Sequence, residues 1–232
     1  KLSKYILYST NFCPFSRKVR FFLEEKGIDY ELRETKFWLR EKNFVKINQA
    51  SEVPVLKNLE TQEIICDSFL ICNYIDEIEK KENEFNYFNF MGNNREERYE
   101  IQRLHMWFDK KFYNEVSKYL IEETFLNVLQ GNNNTNTDKI NIAITNLNMH
   151  IKYMEHLLNI RKWLASESFT IADIAAAMQL SVIDYLGYID WNKYLKLKEW
   201  YMPIKSKQGF RNLLYEKIAG FKESIYYSEL DF

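Results

Sequence analysis

Few of the residues that mark a secreted, metal-binding or membrane-spanning protein are present in this chain. Its 232 residues hold three cysteines, Cys13, Cys66 and Cys72, an odd set without paired spacing. A disulfide framework takes an even count in a small secreted domain. Three histidines, His105, His150 and His156, show neither ligand-like spacing nor carboxylate partners, so no metal site is expected. No apolar run approaches the ~20 residues of a membrane-spanning helix. Lys1-Leu2-Ser3-Lys4-Tyr5 leads into a strand-like segment instead of the apolar stretch of a secretory signal. Charge of one sign is missing as well: 32 Lys and Arg stand against 33 Asp and Glu, for a net charge of -1. General attraction to a phosphate backbone is thereby excluded, and nucleic acid is not an expected partner. P-loop, dinucleotide fingerprint and nucleophile elbow are all absent. These absences leave a cytoplasmic globular protein with no transmembrane segment.

What is present is aromatic weight and two kinds of periodicity. Aromatics make up 16% of the chain, enough for broad stacked cores but silent about chemistry. Tyr5-Ile6-Leu7-Tyr8-Ser9-Thr10 reads as a strand. Phe15, Val19, Phe22 and Leu23 then recur at helical spacing. Pro14 suits the first helical turn, where its missing N–H would be unpaired in any case, and Gly27 ends the helix. Tyr30-Glu31-Leu32-Arg33-Glu34 alternates as a strand, and a strand, helix and strand joined so closely predict a parallel pair. Two short strands follow, over 53–57 and 63–67, with Pro54 at a strand entrance where no ladder hydrogen bond is lost. A helix over 68–78, with Phe69, Cys72 and Ile75 on one face, completes a first domain over 1–80.

Residues 81–95 turn polar, Asn-rich and aromatic, as a linker does. Everything in 96–232 is helical in pattern. Ile101, Leu104, Phe108, Phe112 and Val116 step by three or four, as do Leu147, Ile151, Met154 and Leu158. Between them lies a low-complexity loop over 131–138. The strongest local signal is Ser168-Phe169-Thr170-Ile171-Ala172-Asp173-Ile174. Thr170 is placed to cap a helix and Asp173 to return a bond to the Thr170 N–H, with Phe169 and Ile174 as a hydrophobic staple. The helix that follows is almost wholly apolar, so it is predicted to be the buried centre of the helical domain, with Asp173 structural.

A Thr-x-Ala-Asp cap some hundred residues after a Val-Pro and an Asp-Ser pair resembles the glutathione transferase superfamily over essentially the full chain. The resemblance implies an α/β thioredoxin-like N-terminal domain followed by an all-α C-terminal domain, the glutathione transferase fold. It also implies glutathione-binding positions. Val53, before a cis Pro54, would pair with the cysteinyl part of the tripeptide. Asp67 and Ser68, at a helix start, would hold its γ-glutamyl end, where free N–H groups and the helix dipole favour a carboxylate. Simple helix capping is the bland alternative for Asp67 and Ser68, and a turn kept for folding is the alternative for Pro54.

Cys13 is the sharpest chemical candidate, because a helix N-terminus is expected to lower its pKa. Cys13-Pro14-Phe15-Ser16 resembles a glutaredoxin or omega-type site whose second cysteine is replaced by serine, so a redox cycle would need glutathione as the resolving thiol. Ser16 is the other catalytic candidate, as a hydroxyl polarising a glutathione thiolate. Against both stands a capping loop with an incidental thiol.

Strings in the helical half narrow the resemblance: Trp107 to Val116, Leu180 to Gly187, Glu199 to Ser206, and the closing Ser228-Glu229-Leu230-Asp231-Phe232. Together they resemble the FzlA family, glutathione-transferase-like cell-division proteins of alphaproteobacteria. That likeness implies a homodimer that binds FtsZ filaments, with little or no transferase activity and no required cofactor, glutathione being the ligand the fold would accept. Cys13 departs from the family pattern. Trp38, after strand two, is an interaction candidate as an exposed indole, and so are Leu230, Asp231 and Phe232 in the acidic, aromatic tail. Dimer packing for Trp38 and a docked, purely structural tail are the alternatives. Three functions follow: an FtsZ-binding division factor, a glutathione-dependent transferase or thiol reductase using Cys13 or Ser16, and a scaffold for another partner.

Overall fold

A computed structural model describes residues 3–82, 88–132 and 134–230. The chain divides into two compact units, Lys1–Phe88 and Asn89–Phe232.

In the first unit, β1 (Tyr5–Ser9), α1 (Pro14–Glu25) and β2 (Tyr30–Glu34) come first, then a 3-10 turn at Phe37–Leu39 and α2 (Lys42–Ile47). Strands β3 (Val55–Asn58) and β4 (Ile64–Cys66) and helix α3 (Ser68–Glu82) follow. The sheet order is β2-β1-β3-β4. β1 and β2 are parallel with Leu7 opposite Leu32, while β3 runs antiparallel to β1 and β4 to β3. This is the thioredoxin-like plan, and the βαβ unit read from the sequence is there. Leu7, Val19, Phe22, Leu23, Val55, Leu56, Ile71 and Ile75 are buried. Gly27 ends α1 at φ +67, with its N–H on Glu24 O and the Ile28 N–H on Leu23 O. That paired pattern needs a left-handed residue, which glycine adopts without a Cβ clash.

Periodicity did not foretell the polar side of α1. Arg17, Lys18 and Arg20 are buried. Arg17 Nε donates to Asn11 O at 2.7 Å, and beyond the helix Lys26 Nζ reaches Asp76 of α3 at 3.0 Å.

In the second unit, α4 (Arg95–Met106) passes into a π-helix, Trp107–Ser117, then α5 (Lys118–Ile121), a second π stretch, Glu122–Leu126, and α6 (Asn127–Leu129). The boundary residues Trp107, Lys118, Glu122 and Asn127 keep right-handed helical angles, so the rod from 95 to 129 is continuous. Phe108, Phe112 and Val116 are fully buried. Their spacing was read as ordinary helix, yet i→i+5 bonding takes its place, a rare form frequent at functional positions. Then come α7 (Thr137–Ile160), α8 (Ile171–Tyr185), α9 (Leu195–Lys205) and α10 (Gln208–Tyr215). Thr137 and Asp138, assigned to the loop from sequence, open α7 instead, capped by the Asn136 side chain on the Lys139 N–H.

Every residue of α8 is buried. Its cap forms as the sequence indicated, with the Thr170 N–H donating to Asp173 Oδ2 at 3.0 Å and the Thr170 hydroxyl to the same oxygen at 3.2 Å. Asp173 Oδ1 accepts from the Leu164 N–H and Trp200 Nε1, both at 2.9 Å. Burial pushes this carboxyl up to about 6 while those donors pull it down. The ring of Phe169 packs against Phe90 and Trp163. Ser117 donates to Gln179 at 2.6 Å, fastening the π-helix to α8 inside the core.

Candidate functional site

In the first unit, Cys13 caps α1 at extended angles, with Pro14 at the first helical position. Val53–Pro54 is cis. Cys13, Phe44, Val53 and Val55 form one buried cluster, and Tyr8, Phe15, Phe37, Ile47 and Cys66 pack on it. Asp67 follows Cys66 directly, so residues far apart in sequence converge at the N-terminus of α1 and the end of β4.

The chemistry of this niche differs from the expectation. The Cys13 thiol donates to Val53 O at 3.7 Å. Burial pushes its pKa up, against smaller lowering by Ser16, Phe15 and Arg17. The helix terminus acts in the expected direction, but desolvation of a thiolate among aromatic and aliphatic side chains outweighs it. Burial therefore works against the activated thiolate that its position suggested. The Ser16 hydroxyl is fully buried, accepts from the Thr10 N–H at 3.4 Å and faces the Cys13 thiol. The same thiol occupies the Val53 carbonyl. Asp67 takes its capping role, Oδ1 accepting from the Phe69 and Leu70 N–H groups at 2.8 and 3.3 Å, with φ at +78. Ser68 is buried beside it. Cys66, read as inert core, is half-buried at the edge of the niche, and its thiol too is pushed up by burial.

Trp38 lies in the 3-10 turn and is not the exposed indole expected. It is half-buried, with its ring 5.7 Å from Phe12 and edge-on to Phe37 at 5.3 Å. The exposed apolar side chain there is Leu39, at 56%. Trp38 thus packs against the residue before Cys13.

In the second unit the chain beyond α10 is strapped onto α8 and α9. Lys205 Nζ, buried, donates to Tyr226 O at 2.7 Å and to Asp184 Oδ2 at 3.5 Å. Trp191 Nε1 holds the other Asp184 oxygen at 2.9 Å. Burial lowers the Lys205 pKa against the opposing pull of Asp184. Tyr227 is fully buried, its hydroxyl on Leu213 O, and Ser224 donates to Asp184 O and Tyr185 O. Leu230, by contrast, is 43% exposed. It lines a cavity of about 260 Å³ with Lys205, Ser206, Arg211, Leu214, Tyr215 and Ser228. Asp231 and Phe232 lie outside the described residues. Sequence reading missed Arg211 and Tyr215 in this wall. The available signal was in α10, where Phe210, Leu213 and Leu214 point inward and leave Tyr215, an aromatic, 82% exposed.

Two histidines do have carboxylate partners, contrary to the sequence reading: His105 with Asp109 and His150 with Glu115. No group of three or more potential ligands is gathered among the described residues.

Residues 7–83 match the N-terminal domain of glutathione S-transferases. FtsZ-localized protein A of Caulobacter vibrioides is 34% identical over 221 residues, 94% of each chain. The solved structure of FzlA from C. crescentus covers 99% of this chain and 100% of its own, with 33% identity and a TM-score of 0.93. The chain belongs to the FzlA family of glutathione S-transferase-like proteins. A shorter similarity joins this FzlA-family member to glutathione S-transferase omega-1 of Sus scrofa, 34% over 71 residues, or 31% of this chain and 29% of that protein. Among the described residues, no helix is long and apolar enough to cross a membrane.

Proposed function

We propose that this FzlA-family protein is a cytoplasmic homodimer that binds FtsZ filaments and regulates division, with little or no transferase activity. The observation that carries this reading is end-to-end similarity, over 94% of each chain, to a protein named for its localization to FtsZ. The state of the niche agrees: a transferase needs an activated thiolate or a hydroxyl aimed at one, whereas here burial disfavours the Cys13 thiolate and the Ser16 hydroxyl is itself buried. The exposed Leu230 beside Arg211 and Tyr215, and the rim at Trp38 and Leu39, are the surfaces assigned to the filament.

Co-sedimentation with polymerised FtsZ tests this directly. The protein is expected in the pellet with filaments and in the supernatant without them, and Leu230→Ala or loss of residues 230–232 should reduce pelleting. Wild-type protein that stays in the supernatant with filaments ends the proposal.

A second reading is favoured by the shorter similarity to an omega-class glutathione S-transferase and by the clustering of Cys13, Val53 and Cys66, with Asp67 next in sequence. In it glutathione binds there and serves as the resolving thiol for Cys13. Glutathione binding in a calorimeter, together with turnover lost in Cys13→Ala, would establish it. Absence of both would leave the division reading alone.

A further inference from the structure

His150 sits inside the second unit, on the seam between α7 and the π-helix Trp107–Ser117, and no role above uses it. Its ring is 4% exposed. Both ring nitrogens are engaged from the π-helix: Trp107 Nε1 lies 3.1 Å from Nδ1, and Glu115 Oε2 lies 2.8 Å from Nε2. An indole N–H can only donate, so Nδ1 must present its lone pair and the ring's single proton must sit on Nε2, facing the carboxylate. The tautomer is set by its neighbours.

The same ring is the hub of the seam. Phe112 meets it edge-on at 5.0 Å. Trp107 packs on Tyr153 of α7 at 4.8 Å, and Lys111 lies 5.6 Å above the indole while also pairing with Glu115. One turn earlier on α7, Asn146 Nδ2 donates to the Glu115 carbonyl at 3.0 Å.

We propose that His150 is a proton-operated latch. Neutral, it joins Trp107 to Glu115 and fastens the π-helix to α7; a second ring proton, which can only go to Nδ1, turns an acceptor toward a donor into two opposed donors, expels the indole and opens the seam.

The charges that reach the ring are Glu115, which favours the second proton, and Lys111, which opposes it. α5 and α9, which also pack on α7, bring no titratable group whose charge acts on it. Burial outweighs Glu115 and lowers the ring's pKa, which keeps the latch closed at neutral pH. The sign follows from linkage. With a depressed folded pKa, the contribution is complete above the ordinary histidine value of about 6.5 and is lost as pH falls through the lower folded value.

The test is a pH titration of full-length wild type with ¹⁵N-labelled His and Trp. The expected spectrum at pH 7.5 is the Nε2–H tautomer. As pH falls through the His150 midpoint, the Trp107 indole N–H should lose protection, after correction for intrinsic exchange, by about tenfold per pH unit while one proton is taken up on opening. Trp107→Phe frees Nδ1 and should raise the His150 midpoint. His150→Gln, which offers an acceptor and a donor without titrating, should abolish the indole's acid response. An Nδ1–H tautomer at pH 7.5 would overturn the latch. So would protonation of His150 with the indole still protected, or an acid response that persists in His150→Gln. None of these readouts depends on FtsZ.

Discussion

The buried carboxylates of the helical unit and the buried thiol of the thioredoxin-like unit are held in opposite ways. In the helical unit every buried charge described above is matched: Asp173 accepts from four donors, and Asp184 sits between Trp191 and Lys205. In the thioredoxin-like unit the buried thiol of Cys13, with Ser16 beside it, donates to a carbonyl at 3.7 Å, a weak bond that a competing group could replace. The difference separates scaffold from niche. A saturated network costs heavily to break, whereas a weakly held thiol can change partner without unfolding what surrounds it.

Breaking the saturated side should give the largest effects. Lys205→Ala leaves Asp184 buried without its cation and releases the Tyr226 carbonyl, so a loss of about 3–5 kcal/mol is expected. Chemical denaturation measures it, and protease cleavage beyond Tyr215 should accelerate. A change below about 1 kcal/mol would mean that the strap is held by Tyr227 and Ser224 alone.

Asp173→Asn comes next. One amide oxygen can still take Leu164 and Trp200, but the amide nitrogen then faces the Thr170 N–H, and about 1–3 kcal/mol should be lost. This variant also sharpens the electrostatics. A carboxyl raised to about 6 in the fold holds a proton between about pH 3.8 and 6 that the unfolded chain releases. Its contribution is therefore greatest below that window and declines as pH rises through it. The slope of Tm against pH across that range should flatten in Asp173→Asn, and an unchanged slope would place the titration elsewhere.

On the weak side, Cys13→Ser should cost only about 1 kcal/mol. In the native wild type, iodoacetamide at pH 7.4 should alkylate Cys13 at least about tenfold more slowly than a free thiol, because burial holds the thiolate fraction down. Equal rates would restore the activated-thiol reading. Smallest of all is Arg33→Ala. The pair with Glu31 is about half exposed on both sides, so about 0–1 kcal/mol is expected, and salt should erase it.

Much of the fold was legible because its signals are local. The βαβ unit came from alternation and helical spacing joined by Gly27, and α8 came from the Thr170–Asp173 box ahead of an apolar run. The π-helix was hidden because Phe108, Phe112 and Val116 step by four, which an α-helix accommodates equally well. The partners His105–Asp109 and His150–Glu115 were missed for different reasons. The first pair lies four residues apart but is read as nothing unless both face inward. The second spans 35 positions and exists only when α7 packs on the rod.

At the niche, sequence alone named Cys13, Val53 and Asp67 and placed the thiol at a helix start. It could not say how much water reaches that sulfur. Trp38 shows the same gap, since a position after a strand gave no warning that Phe12 and Phe37 would cover half of it.

By itself, then, the sequence determined the division into a mixed sheet and a helical bundle and the capped central helix. Spacing, caps and turn residues act over a few residues and need no knowledge of the rest. Only the tertiary structure decided which groups are buried and which way burial pushes their ionisation. Desolvation depends on every neighbour in three dimensions: it works against the thiolate expected at Cys13, and the same three-dimensional packing leaves an indole expected at the surface half-buried.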